Sequence, residues 1–247
     1  MPRLSLLAVL PVLTACAAPA ATGINDPYES ANRRVHAFNV GVDAQLSKLT
    51  GGDTANAAPT SGRVSPKDEL LITASNITSN LSLPGKIVNH LLQGRPDAAA
   101  KNALRFGINS TLGLGGIFDP AGMDFALPEI DTDFGETLHV WGMGEGAFVM
   151  LPILGPTTER DLAGRVVDFA IDPVGNWIQE PRDKNALRAL KVIAKVGERG
   201  RFAGTVNSIL HQSADSYAQL RLIYLQKRRH DLGQTSEDDA YDPYADQ

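Results

Sequence analysis

The chain has 247 residues, 23 Lys and Arg against 28 Asp and Glu, a formal net charge of −5 at neutral pH, and one cysteine. That charge excludes a globally basic nucleic-acid binder, and a single thiol excludes a disulfide framework, so stability must come from a packed core. The chain is long enough to build one.

Residues 1–15, MPRLSLLAVLPVLTA, set Arg3 before an apolar run. The run is too short to span a bilayer and suits a secretory signal peptide, outside the fold. Leu13-Thr14-Ala15-Cys16 matches the bacterial lipobox, which predicts acylation of Cys16. An ordinary signal peptide with a coincidental cysteine is the competing reading. Each buried lipid methylene contributes about 0.8 kcal/mol, so two or three acyl chains make a durable anchor. Ala17, rather than Asp, follows the cysteine, as in lipoproteins sorted to the outer membrane. Residues 16–24 then form a lipidated tether, 25–231 the folded domain, and 232–247 an acidic tail read as disordered.

Within the domain, Asp26-Pro27 reads as a helix start, with Val35, Phe38 and Val42 on one face. The small, polar stretch at residues 50–62 reads as a loop. Ser65-Pro66-Lys67-Asp68 opens a helix expected to stop before Asn80. A second helix follows from Leu83 to Leu92, with Ile87, Val88, Leu91 and Leu92 as its apolar stripe and Gly94 as its stop. Pro96 starts a third, continuing to about Asn109 through Ala99, Ala103, Leu104 and Phe106.

A glycine-rich centre follows, in which Phe148 to Leu151 is the one candidate for extended structure. Thr157 or Thr158 caps the next helix, expected to turn Leu162, Val166, Phe169 and Ala170 inward and Arg160, Asp161, Arg165 and Asp168 outward, with Asp172-Pro173 ending it. Lys184, Arg188, Lys191, Lys195 and Arg199 make a basic stripe on another helix, read either as a solvated face or as a surface for anionic head groups. The last helix runs from about Ala214 to Arg229, with Tyr217, Leu220 and Tyr224 together. The pattern predicts an all-α fold of six to eight short helices broken by Gly and Pro.

Chemistry-bearing patterns are sparse. His36, His90, His139, His211 and His230 form no His-x-His or HExxH pair, and Glu136-x-x-His139 lacks the second copy that a di-metal centre needs. There is no G-x-S-x-G elbow, and Gly142-Met143-Gly144-Glu145-Gly146 lacks the spacing of a nucleotide loop. Asp119, Asp131, Asp133 and Glu136 read as helix caps in preference to paired catalytic carboxylates. No catalytic residue, metal or cofactor is expected.

Three runs carry a resemblance: SNITSNLSLPGKIVNHLLQG from Ser75, RFGINSTLGLGGIFDPAGM from Arg105, and DFGETLHVWGMGEGAFVMLPILGPTTERDLAG from Asp133. With Asn25-Asp26-Pro27, Asn32-Arg33, Phe38-Asn39 and the lipobox, they resemble the MlaA (VacJ) family of outer-membrane phospholipid-transport lipoproteins over almost all of the mature chain. The chain departs from the family pattern between Val40 and Thr73, at Ile77 and at Ala147.

The resemblance implies a ring- or disc-like all-α domain in the inner leaflet of the outer membrane, with a central amphipathic channel. Phospholipid strayed into the outer leaflet would pass through it to a periplasmic carrier, MlaC, and the protein would associate with trimeric porins. A non-catalytic scaffold organising porins or the envelope is the competing class. Phe38, Asn39, Asn80 and Asn109 are candidates to line the channel, although buried asparagines also satisfy backbone groups at helix ends. Gly115, Gly116, Gly142 and Gly144 are candidate hinges for a lip formed by residues 119–133, or else fixed packing sites.

Overall fold

The computed structural model describes residues 24–50, 66–171, 180–201 and 203–234. Cys16, the signal peptide, the loop read at 50–62 beyond Thr50, the Asp172-Pro173 stop and the tail beyond Gln234 lie outside the described residues. In order the elements are α1 (Glu29–Thr50), α2 (Pro66–Leu92), α3 (Pro96–Thr111), α4 (Pro120–Met123), α5 (Phe134–Val140), β1 (Phe148–Leu151), β2 (Gly155–Thr158), α6 (Glu159–Ile171), α7 (Pro181–Arg201), α8 (Ala203–Asn207), a π-helical turn (Ser208–Gln212) and α9 (Ser216–Asp231). The fold is mostly α, as its sequence predicts, with one short hairpin added.

The first correction concerns α2. The two helices expected on either side of residues 80–83 are one rod of 27 residues, with Pro84 inside it. Proline leaves the carbonyl of Asn80 without its helical donor, at a cost of about 3 kcal/mol. Asn80, Leu83, Asn89 and His90 are all buried along the rod, and packing of that length against α3 and α7 outweighs the local defect. Gly94 ends the helix as expected: at φ +71° it lets Arg95 N–H reach the carbonyl of His90, at 2.9 Å.

β1 is the predicted strand; its partner β2 was not legible. The strands run antiparallel, with Phe148 opposite Thr158 and Leu151 opposite Gly155. Phe148 and Met150 point inward and join Tyr217 and Leu225 of α9 in the apolar core, flanked by Val35, Leu220 and Tyr224. The three aromatic rings meet edge-on, Phe148 lying 6.0 Å from Tyr217 and 6.2 Å from Tyr224. β2 has no alternation to read because Gly155, Pro156, Thr157 and Thr158 gain their burial from α6 and α9.

The N-terminal signposts fasten this core. Asp26 is not the cap of α1. Its carboxylate accepts from Asn32 Nδ2 at 2.9 Å, from the Tyr217 hydroxyl and from Arg221 at 2.5 Å, tying the chain start to α9. Asn32 then clamps β1, donating to the carbonyl of Phe148 at 3.0 Å and accepting from Met150 N–H at 2.9 Å. Asn39 grips the hairpin tip in the same way, through Leu151 O and Ile153 N–H. Ile153 sits at φ +65°, a strained setting for a β-branched residue, and that grip holds it there.

The second correction is the orientation of α6. Thr158 caps it, its hydroxyl accepting from Asp161 N–H at 3.3 Å. Arg160 and Asp161, expected outside, are 0% and 4% exposed, whereas Val166 and Phe169, expected inside, are 63% and 83% exposed. Arg165 is exposed as expected, but the helix turns Arg160 and Asp161 toward the protein.

Candidate functional site

The inversion at α6 recurs on parts of two other helices. At the C-terminal end of α2, Asn89 and His90 and, just beyond it, Gln93 are buried, while Val88, Leu91 and Leu92 of the predicted apolar stripe are exposed. On α3, Asn102, Arg105 and Asn109, spaced three and four apart, face in, and Leu104 faces out with Leu112 and Leu114 beyond the helix end. On these helices the exposed face carries the large apolar side chains and the buried face the polar ones, while the apolar core of Phe148, Met150, Tyr217 and Leu225 lies beside them. No described helix is long and apolar enough to cross a membrane.

Most of the polar interior is internally bonded, as burial requires, although Gln93 Oε1 and His90 Nδ1 are among the buried atoms left without a partner. Gln93 donates to Thr132 Oγ1 at 2.7 Å and Thr137 Oγ1 at 3.0 Å; Thr132 donates to Glu136 at 2.8 Å, which also accepts from Arg95 at 2.5 Å. Thr137 donates to Asn89 Oδ1, and Asn89 donates to Asp168 at 2.9 Å. Burial pushes the Asp168 carboxyl above the ordinary aspartate range, against hydrogen bonds from Phe134 N–H and Asn89. The network joins α2, α5 and α6 without a large apolar core between them.

Beside it, two adjoining cavities of about 490 and 310 Å³ share Thr78, Ser82 and Lys86 as walls. The larger is lined by Ser75, Thr78, Ser79 and Ser82 on α2, Glu129 and Asp131 opposite, and Ala194 of α7. The smaller continues past Asn89 to Asp168, Phe169 and Lys191. Ser75, Thr78, Ser79, Ser82, Lys86, Asn89 and Gln93 repeat at three- and four-residue intervals along one face of α2. That hydroxyl and amide stripe is present in the sequence opposite the more conspicuous apolar one.

Lys86 is the charged centre of the two cavities. It pairs with Glu129 and, at 2.6 Å, with Asp131; Glu129 also accepts from the Ser79 hydroxyl. Burial opposes the ammonium, but Glu129 and Asp131 outweigh it and lift its pKa above the ordinary lysine value, so it is cationic.

The predicted site residues fall elsewhere. Phe38 is 54% exposed on α1, and Asn39 is spent on the hairpin tip. Asn109 donates to Asp119 at 2.8 Å and accepts from Ala121 N–H at 3.0 Å; Asn80 donates to Ser110 at 3.1 Å. Asn80, Asn109 and Gly116 meet: Gly116, at φ +95°, donates to Asn109 O at 2.9 Å, and an added Cβ would stand 2.6 Å from that of Asn80. Gly115 and Gly142 also have positive φ but open space around them, and Gly144 is exposed. The segment 119–133 is pinned at both ends, by Arg105 and Asn109 on Asp119 and by Asn102 holding both backbone groups of Ile130, at 2.8 and 3.1 Å. Burial works against the Asp119 carboxylate, yet Asn109 and Arg105 outweigh it and hold its pKa low.

Asp119 and Asp133 cap α4 and α5, accepting from Gly122 and Glu136 N–H, while Asp131 and Glu136 are tied to Lys86 and Arg95. Each of the four is held by a cation or a backbone N–H, Asp131 sharing Lys86 with Glu129. On α7, Lys184, Arg188 and Lys191 lie exposed; the side chains of Lys195 and Arg199 are outside the described residues.

Comparison with known proteins agrees with this architecture. The profile of the family described as MlaA lipoprotein matches residues 24–231. A Shigella flexneri protein described as "Intermembrane phospholipid transport system lipoprotein MlaA" is 34% identical over 93% of this chain and 88% of its own length. Its counterpart of the same description in Escherichia coli K12 is 33% identical over the same shares. A solved chain from work described as "Structural basis for maintenance of bacterial outer membrane lipid asymmetry" superposes with a TM-score of 0.67 at 29% identity, covering 84% of this chain and 98% of that one. With most of its length matched in both sequence and fold, the chain belongs to the MlaA lipoprotein family.

Proposed function

We propose that this protein helps maintain lipid asymmetry of the outer membrane. Residues 25–231 form a disc in the periplasmic leaflet, anchored through lipid on Cys16 at the end of its tether. Phospholipid mislocalised to the outer leaflet enters a central channel and passes to MlaC for return to the inner membrane. The observation that carries this reading is the reversal of polarity: apolar side chains such as Val166, Phe169, Leu91 and Leu104 outside, amides, hydroxyls and charges inside. An exterior of that kind is stable against hydrocarbon, where buried polar groups need internal partners. A polar head group moved alone through hydrocarbon loses its hydrogen bonds at a cost of several kcal/mol, and the hydroxyl face of α2 replaces them. No bond is broken in this cycle, so no nucleophile is required. Hand-over to MlaC and association with trimeric porins rest on the family resemblance.

The test is to fill the shared wall of the two cavities. In cells lacking the gene, phospholipid in the outer leaflet, read by an enzyme that acts only at the cell surface, is expected to rise. The wild-type protein and Ser82→Ala should return it to normal. Ser82→Phe, which places a ring where the cavities join, should leave it raised at unchanged protein level, and Cys16→Ser should fail for want of an anchor. Full restoration by Ser82→Phe would refute passage through this channel and favour the scaffold that acts through its partner surface alone.

A further inference from the structure

Lys86, Glu129 and Asp131 stand together in the wall of a cavity that holds no other charged side chain among the described residues lining it. The adjoining cavity adds one lysine and one aspartate, Lys191 and Asp168, so acids outnumber bases by one along the route. Asp168 is occupied by Phe134 N–H and Asn89, and Lys191 stands in the smaller cavity, so the triad is the charged surface of the larger one.

Its members are not held equally. Lys86 and Glu129 have side chains about a fifth exposed, and Glu129 is further fixed by Ser79. The Asp131 side chain is 89% exposed and pairs with Lys86 from the open side. A pair whose carboxylate stands in solvent is screened and weak, so Asp131 is the partner that an incoming anion displaces.

We propose that this triad selects a zwitterionic head group bearing a primary ammonium, of the phosphoethanolamine type: the phosphodiester takes the place of Asp131 on Lys86, and the ammonium is received by Asp131 and Glu129. This deepens the proposed channel function and rests on it. A zwitterion adds no net charge to a site that already has an excess of acid. A phosphoglycerol head group adds a negative charge and offers the two carboxylates only neutral hydroxyls. A phosphocholine head group balances charge but has no N–H to donate. Hydrogen bonds between ionised partners are about twice as strong as neutral ones, so the ethanolamine class gains the most. The Ser75, Thr78 and Ser82 hydroxyls serve any phosphodiester and do not discriminate.

The experiment titrates the purified full-length protein in detergent with three dihexanoyl phospholipids, carrying ethanolamine, choline or glycerol head groups. Wild type is expected to bind the ethanolamine lipid about tenfold more tightly than the glycerol lipid, with choline between them. Glu129→Gln with Asp131→Asn should bring the ratio close to one, and Lys86→Met should weaken all three. Asp131→Asn alone, at an exposed position that leaves the fold intact, should cut the preference by more than half. A wild-type ratio at or below one, or a ratio unchanged in both carboxylate variants, overturns the head-group inference. Detection of no binding overturns it too. In either case the outer-leaflet assay with Ser82→Phe still decides the channel reading, so the two fail separately.

Discussion

Asp161→Asn is expected to lower the stability of the folded protein by about 3 kcal/mol, because removing one partner of a buried ion cluster leaves its cations uncompensated. Asp161 accepts from Arg160 at 3.2 Å, from Arg228 through two nitrogens at 3.0 Å and from the Tyr224 hydroxyl at 2.8 Å. It is the point at which α6 is joined to α9. Arg160 has no exposed surface at all, and its guanidinium would keep its charge with no carboxylate beside it. Arg228 retains Asp133 at 2.7 Å, which keeps the loss at the lower end of the range for buried pairs. At this chain length the melting midpoint should fall by roughly 6–12 °C.

The same residue gives the effect a pH signature. Burial opposes ionisation of Asp161, but Arg228 and Arg160 outweigh it and hold its pKa below the ordinary aspartate value. A carboxylate depressed in the folded state contributes stability that is complete above its unfolded pKa of about 3.9 and is lost as the pH falls through the folded one. Wild type and Asp161→Asn should therefore differ by a constant amount from neutral pH to about pH 5 and converge only in stronger acid. A difference that persists undiminished to pH 2 would mean that the effect comes from packing and not from charge.

The second large effect is Gly164→Ala. α5 and α6 cross at Gly135 and Gly164, and a Cβ on Gly164 would lie 2.3 Å from Gly135 N and 2.6 Å from its Cα. Backbone cannot yield as a flexible side chain can, so the helices must separate. That movement strains the Phe134 N–H to Asp168 bond, 3.0 Å long, and shifts Asp161, whose Oδ1 is 2.7 Å from the Cβ position of Gly135. Overpacking of this kind costs about 3 kcal/mol. Gly107→Ala makes the same chemical change with the opposite sign. Gly107 is exposed within α3, with nothing near its Cβ position, and alanine there should gain up to about 1 kcal/mol in helix propensity. Thermal unfolding of the two variants, measured side by side, checks both. A Gly164→Ala protein as stable as wild type would contradict the close helix crossing.

Several features were legible in the sequence because they depend on local chemistry. Pro96 opens α3, Gly94 closes α2, Thr158 caps α6, and Tyr217, Leu220 and Tyr224 share a face of α9. The family could be read from ordered runs of residues without any geometry. The continuity of α2 through Pro84 could not, since the local penalty is visible in the sequence while the packing that outweighs it is distributed over distant helices. Nor could the second strand, which owes its burial to α6 and α9.

The largest misreading, the orientation of α6, has one cause. Amphipathic periodicity determines that a helix has two faces, and the sequence of 159–171 carries that information fully. Which face turns inward depends on what lies outside. The usual assumption of water outside puts Val166 and Phe169 in the core and Arg160 and Asp161 in solvent. Only the tertiary structure brings Arg228 and Tyr224 from a distant part of the chain to receive Asp161, with Asp133 as the second partner of Arg228. The sequence by itself determined the mostly helical class, local signals such as Pro96, Gly94 and Thr158, and the family; the assembled fold decided that α2 runs unbroken through Pro84 and which side of each helix is the interior, because a buried charge is stable only where its partners converge.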